Sequence, residues 1–595
     1  MTQDKFSKEI NLNKKLTKKY VDQSKVFTQN ITQLNNIKNS KPFIWWQNYN
    51  VIKKIFINKK KLSKKVIKKI SDYYYIYKKN PKKFKILKSI YESEKNTLTI
   101  NKIDKHFLIV ETNKKIDVII PWYGDKNIFK LIPNILKSDY NHLSKIFIIN
   151  DDYPDKELSN QLEKFIKKIK DKKIIFINQF ENKGFVGTVN HGFSLIKNDC
   201  VILNSDVLTT KNLIKKILDV SESDQKIATI TPLSNNATIF SVPKFLEKNE
   251  DDDYTLTGNI CEKIYPQKTI NVPTGHGFCM FIRKKYLDKY GIFDEKTFGK
   301  GFGEENDLCM RFAKHGLKNL ALLNTYIIHL ESQSFGNKQR INQIKNNYPK
   351  LLKKHPLYDQ LVQKFIKQNP LKDIQNLVGY FQKNPNILNR ENILIITHTN
   401  PYKIIGGVEV ETTTLIQHIN NKYPDKNVLL YFFDQLKNQH SLFILENNIV
   451  IKKISFNKEI NSENILSWII KSFKINLTII EHLMYHSLSY GKILKENKIK
   501  FVLFIHDFYF YCPNSDLIND KNIFCKYEHK NKICENCLLN KLNAKVNILE
   551  WRKKSKEIIN KYSDVVVFNS EFTKDKYLKL FNLKSNKKFK ISYPE

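Results

Sequence analysis

From Asp117 onward, short apolar runs alternate with polar stretches of helical spacing. The runs DVIIPWY, KIFIIND, KIIFINQF, CVILNSD and IATITP are each of strand length. Apolar runs of that length between helices predict a largely parallel sheet in an α/β arrangement. A second series opens at Asn392, with ILIITH, NVLLYFFD, NLTIIEHL, KFVLFIHDF, DVVVFNS and KFKISYP. The two series do not align by motif, which predicts two different domains and not a duplication. Residues 1–114 are Lys-rich and lack glycine, and they carry apolar clusters at Phe43–Trp46 and Tyr73–Tyr77. They read as a basic helical region. Beyond Gly336 the pattern is helical and polar again, punctuated by Pro349, Pro356, Pro370 and Pro385, which predicts a linker of short helices. The expected segments are therefore 1–114, 115–340, 341–390 and 391–595.

A chain of 595 residues is too long for one ordinary core. A hydrophobic fraction of 41% with 12% aromatics excludes wholesale disorder. No apolar stretch approaches about 20 residues, so no transmembrane helix is expected. The start, MTQDKFSKEINLNKKLTKKY, has no apolar core and does not read as a secretory signal. These features predict a cytoplasmic protein. The formal charge of +42 changes the picture less than its size suggests, because the lysines are spread along the whole chain. That spread argues against a specific nucleic-acid site. It favours anionic partners such as nucleotide sugars or the acidic inner face of a membrane.

Ligands in open α/β sheets sit beyond the carboxyl ends of the strands. Here the first strand runs into Pro121-Trp122-Tyr123-Gly124-Asp125 and the second into Asn150-Asp151-Asp152. The third leads to Glu181-Asn182-Lys183-Gly184, and the fourth ends in Asn204-Ser205-Asp206. One acidic strand end is an ordinary turn; three together fit a site for a cation and a hydrogen-bonding ligand. Further on come the loop Pro273-Thr274-Gly275-His276-Gly277 and the acidic run Gly303-Glu304-Glu305-Asn306-Asp307. His329 closes the run NLALLNTYIIH.

In order and spacing, residues from about Asp117 to Ser334 resemble the inverting family 2 glycosyltransferases, which have the GT-A fold of nucleotide-diphospho-sugar transferases. The resemblance implies a nucleotide-sugar donor held against Pro121, Tyr123, Asp151, Asn182, Gly184, Asn204, Asp206, Gly275 and His276. Asp151 would bond the base or ribose. Asp206 and His329 would hold Mn²⁺ or Mg²⁺, a hard cation that neutralises the leaving diphosphate. The general base falls on Glu305, with Glu304 and Asp307 as alternatives. Asp307 and Arg311 are four apart on the expected helix and should pair.

The second series has a two-glycine turn at Gly406-Gly407, which can present backbone N–H groups to a phosphate or sugar. With His506-Asp507 and Asn569-Ser570 at later strand ends, it resembles the N-terminal, acceptor-side half of family 4 glycosyltransferases. The expected fold is a Rossmann-like GT-B half-domain. The chain stops near where that family crosses to its second domain, so the module would be a fragment, completed by a partner, or a binding half-domain. Within it, Cys512, Cys525, Cys534 and Cys537 suit a structural Zn²⁺, with reduced free thiols as the alternative.

The resulting expectation is a glycosyltransferase acting on a glycan or lipid-linked acceptor in surface-polysaccharide assembly. A nucleotidyltransferase would also place acids around a metal, but PWYGDKN is a poor match to its Gly-rich basic loop. A transferase fold without activity, binding polyanions, is the non-enzymatic alternative.

Overall fold

The computed structural model describes residues 81–103, 113–264, 268–330, 337–404, 406–585 and 588–593. They form two units. One is Lys102–Leu388, and the other joins the segment up to Asn101 to Asn389–Glu595.

The strands, numbered along the chain, begin with β1 (Leu98–Ile100) of the second unit. The first unit holds β2 (Ile116–Trp122), β3 (Leu143–Asn150), β4 (Ile174–Asn178), β5 (Cys200–Leu203) and β6 (Val207–Thr209). It continues with β7 (Ile227–Ser234), β8 (Thr269–Asn271), β9 (Cys279–Ile282) and β10 (Lys318–His329). They form one sheet in the order β4-β3-β2-β5-β9-β7-β10-β6, with β8 on β10. The half from β4 to β5 is parallel, while β9 runs antiparallel between β5 and β7. This is a mixed α/β domain.

Burial on both faces explains the unbroken apolar runs. All of β7 is buried, and so is β2 except Pro121. The helix Gly184–Leu195 seats directly on β2. A Cβ at Gly192 would lie 2.5 Å from Ile119 Cγ2, so this close approach requires glycine. Parallel β2, β3 and β5 deliver their motifs to one edge of the sheet.

The expected linker over 341–390 is not a linker. The helices Asn337–Lys354, Tyr358–Gln368 and Lys372–Lys383 belong to the first unit. Pro349 sits inside the first of them. Leu351 and Tyr358 pack with Phe298 and Met310 in one buried cluster. The apolar stripe of these helices outweighs the punctuation that suggested a tether.

The region 1–114 also divides differently. Residues 1–80 lie outside the described residues. The helix Pro81–Lys95 and β1 build onto the second unit, where β1 pairs in parallel with β14 (Ile449–Phe456). The Ser89 hydroxyl accepts from Val450 N at 3.0 Å. Lys453, fully buried, pairs with Asp434 at 3.0 Å and with Glu94 at 3.6 Å.

The second unit's other strands are β11 (Asn392–Thr397), β12 (Asn427–Asp434), β13 (Gln439–Glu446), β15 (Ile475–Ile480), β16 (Lys500–Ile505), β17 (Val565–Phe568) and β18 (Phe589–Ile591). Their order is β1-β14-β13-β12-β11-β15-β16-β17-β18. The stretch from β12 to β18 is parallel, and β13 is antiparallel to both neighbours. Among the described residues, no helix is long and apolar enough to cross a membrane.

Candidate active site

The strand ends of the first unit surround a cavity of about 750 Å³, a volume suited to a small-molecule ligand. Pro121, Tyr123, Asp151, Asn182, Asn204, Asp206, His276, Glu304, Glu305 and His329 all line it. Gly184, Gly275 and Asp307 do not. Gly275 is packed in the core, its N–H 3.1 Å from Cys309 Sγ.

Asp151 works first on the chain itself. Its carboxylate accepts from the backbone N–H groups of Lys183 at 2.7 Å and Gly184 at 2.9 Å. It thereby caps the helix Gly184–Leu195, whose own N-cap side chain makes no such bond. Burial raises its pKa, and these N–H groups oppose the rise. Asn182 donates to the Asp151 carbonyl and accepts from Lys300 Nζ. Strand end, loop and a cation are thus tied together at the cavity wall.

At the end of β5, the Asn204 backbone is fixed by Phe278 at 2.9 Å. Its side-chain Oδ1 is buried without a hydrogen-bond partner among the described residues. Asp206 Oδ1 lies 3.5 Å from His329 Nε2, and His329 Nδ1 lies 3.0 Å from the Asn236 carbonyl. A ring nitrogen beside a carbonyl carries the proton, which leaves Nε2 facing the Asp206 carboxylate. The carboxylate oxygen and this ring nitrogen are both atoms that a cation can share. Oxygen donors with one oriented imidazole fit a divalent ion such as Mn²⁺ better than Mg²⁺.

The three acids that alternated in the sequence differ sharply in environment. Asp307 is fully buried and bound by Lys354 at 2.6 Å, His355 at 2.8 Å and Arg311 at 2.9 Å. Those bonds hold its pKa low against the opposing effect of burial. Glu304 is buried at 3% exposure, and desolvation together with the neighbouring Glu305 charge pushes its pKa well up. Glu305 is half-buried at the cavity, with a pKa raised chiefly by desolvation. Burial thus shifts both carboxyls upward, Glu304 further than Glu305, and Glu305 is the less buried of the two.

One wall was missed by sequence reasoning. Asn342, Gln343 and Asn346 come from the helix Asn337–Lys354. Gln343 Oε1 is buried without a partner among the described residues. Amides at this i, i+1, i+4 spacing were the only available signal.

In the second unit, Gly406 is the N-cap of the helix Gly407–Lys422. A Cβ there would lie 2.6 Å from Glu409 Oε2, so this buried carboxylate already occupies the turn. His506 follows β16 and lies near two glutamates. The zinc expectation finds no support here: among the described residues, no three of the sulfurs of Cys512, Cys525, Cys534 and Cys537 lie within 4.8 Å of one another. All four are free. Cys534 Sγ bonds the Glu528 carbonyl and accepts from Arg552, and burial pushes the Cys512 thiol up to about 12.

A carboxylate–imidazole pair and two neighbouring glutamates thus line one cavity at the strand ends of a mixed α/β sheet. Residues 117–291 match the model for glycosyl transferase family 2. No curated protein matches the chain. Similar solved structures include GalNAc-T7 with UDP, GalNAc and Mn²⁺, at 14% identity and a TM-score of 0.32. That match covers 46% of this chain and 58% of that one. The mannosyltransferase PcManGT from Pyrobaculum calidifontis, in complex with GDP-Man and Mn²⁺, is 13% identical with a TM-score of 0.33. It is covered over 79% of its length by 47% of this chain.

Proposed function

We propose that the first unit moves a sugar from a nucleotide-diphosphate donor to a hydroxyl of a glycan or lipid-linked acceptor, with inversion at the anomeric carbon. The observation that carries this reading is Glu305, which lines one cavity together with the Asp206–His329 pair. Asn204, Asp206 and His329 would hold the divalent ion, and that ion supplies charge neutralisation for the departing diphosphate. Lys300, fixed on Asn182, adds a cation at the same wall.

Glu305 takes the proton from the acceptor hydroxyl as its oxygen bonds the anomeric carbon and the bond to the diphosphate breaks. Its raised pKa makes this carboxylate a stronger base than an ordinary one, and it becomes neutral on taking the proton. The amides of Asn342, Gln343 and Asn346 are suited to acceptor hydroxyls.

The second unit fits the acceptor-side half of a family 4 module. Its parallel strand order and its His- and acid-bearing strand ends support that reading. The charge of +42 supports work at the cytoplasmic face of an anionic membrane, in surface-polysaccharide or glycan assembly.

The test is a panel of sugar nucleotides offered to the full chain with and without Mn²⁺. Turnover is followed, and the anomeric configuration of the product is read by NMR. Binding and Mn²⁺-dependent turnover of at least one donor, with inverted product, is the expected result. Retained configuration would overturn the inverting mechanism, and a panel without binding or turnover would overturn the donor assignment.

A further inference from the structure

The second unit holds a cluster of titratable side chains that the proposed transfer does not use. It lies where the order of the parallel strands reverses. β11 has β12 on one side and β15 on the other, and ligand sites form beyond the carboxyl ends at such a point. Glu481 directly follows β15, His506 directly follows β16, and Glu411 comes from the helix Gly407–Lys422 after β11.

His506 Nε2 lies 3.0 Å from Glu481 Oε2, and its Nδ1 lies 3.4 Å from Glu411 Oε2. One ligand atom from each residue can be chosen so that all lie within 4.8 Å of one another. The Glu481 side chain is 0% exposed, yet its Oε1 has no hydrogen-bond partner among the described residues. Neighbouring histidines do not supply the missing charge. His398 is engaged by Glu409 at 3.1 Å, and His482 by Asp507 at 3.2 Å. With both carboxylates ionised, the one imidazole cannot balance their charge even when it is protonated. A buried, unpartnered carboxylate oxygen is costly unless a cation meets it.

We propose that Glu411, Glu481 and His506 form a binding site for one divalent transition-metal ion, of the class of Co²⁺, Zn²⁺ and Mn²⁺. The imidazole selects this class over Mg²⁺ and Ca²⁺, which take oxygen donors. The site is separate from the Asp206–His329 pair and shares no residue with the cysteine cluster.

Both of those groups could also take an ion, so the experiment uses Co²⁺ with the full-length Asp206→Ala chain. Titration is followed by calorimetry and by visible absorption, where thiolate coordination shows its own charge-transfer band. The expected result is one Co²⁺ bound with a nitrogen–oxygen spectrum, and a rise in unfolding temperature on binding. Adding Glu481→Gln or Glu411→Gln should weaken that binding by about tenfold or more. Glu411 is partly exposed, so its variant keeps the test open if Glu481→Gln does not fold. Co²⁺ affinity unchanged in Glu411→Gln and His506→Gln, a spectrum of thiolate character only, or no Co²⁺ bound by the Asp206→Ala chain would each overturn the proposal.

Discussion

His355 Nε2 sits 2.8 Å from Oδ1 of Asp307, and with Lys354 and Arg311 it surrounds an acid that has no exposure to the cavity. A carboxylate held by three basic groups has no free basicity to offer an acceptor hydroxyl. Its work is to fix the helix Glu304–Lys314, whose first turn carries the other two acids.

Asp307→Asn should therefore act on stability. Removing one partner of a buried ion network costs about 3 kcal/mol or more, readable from urea unfolding. Glu305→Gln should leave stability and donor affinity nearly unchanged while lowering turnover about a hundredfold. If Asp307→Asn folds normally yet is inactive, and Glu305→Gln turns over at the parent rate, the base is Asp307.

The pH dependence follows from the raised carboxyls. Glu305 acts ionised, so turnover should fall as pH drops through its raised pKa, placing the acid limb above the ordinary carboxylate range. Glu304 holds its proton in the fold. Its stabilising contribution is complete below its ordinary value of 4.5 and is lost as pH rises through the folded pKa. Glu304→Gln should thus raise the unfolding temperature at neutral pH and flatten its decline above that value. An unfolding temperature that falls equally with pH in both proteins would contradict the buried, protonated Glu304.

Much of the cavity was legible because its residues end strands. Strand ends are read directly from apolar runs followed by turn-forming acids, which is how Asp151, Asp206 and His329 stood out. What the pattern could not show was division of labour among neighbours. Glu304, Glu305 and Asp307 look alike in sequence, and they differ only because residues 354–355, far along the chain, close over one of them. The helices after Asn337 were misread for a related reason. Their apolar positions are sparse among Lys and Asn, and Pro349 suggested a break where the helix continues. The segment Pro81–Ile100 gave no local sign that it would pair with a strand over three hundred residues away.

The metal assignment predicts unequal losses at two ligands. Asp206→Ala removes the anionic donor and should abolish Mn²⁺-dependent nucleoside diphosphate binding, measured by calorimetry, while circular dichroism remains unchanged. His329→Ala should weaken binding less, since one neutral donor of several is lost. Freeing the ring by removing its contact with the Asn236 carbonyl should have a smaller effect of the same sign. Undiminished Mn²⁺-dependent binding in Asp206→Ala would end this assignment.

The last prediction concerns where the first unit ends. Asn347 donates to the carbonyls of Phe298 and Gly301, both at 2.8 Å, and Tyr358 donates to Asn306 at 2.6 Å. These contacts brace the loop before the acidic helix. In that loop, Gly303 has a φ of +112° and a Cβ would lie 2.9 Å from the Phe298 ring. A chain of residues 113–388 should therefore fold and bind a sugar nucleotide. One cut after residue 340 should lose the clamp on Asp307 together with the Asn342–Asn346 wall, and bind poorly or aggregate. Within the longer chain, Asn347→Ala strands two carbonyls and should cost about 1–3 kcal/mol. Because the loop it holds leads into Glu304 and Glu305, turnover should fall more than donor affinity. Equal binding and turnover in the two truncated chains would show that the helices after Asn337 are dispensable to the site.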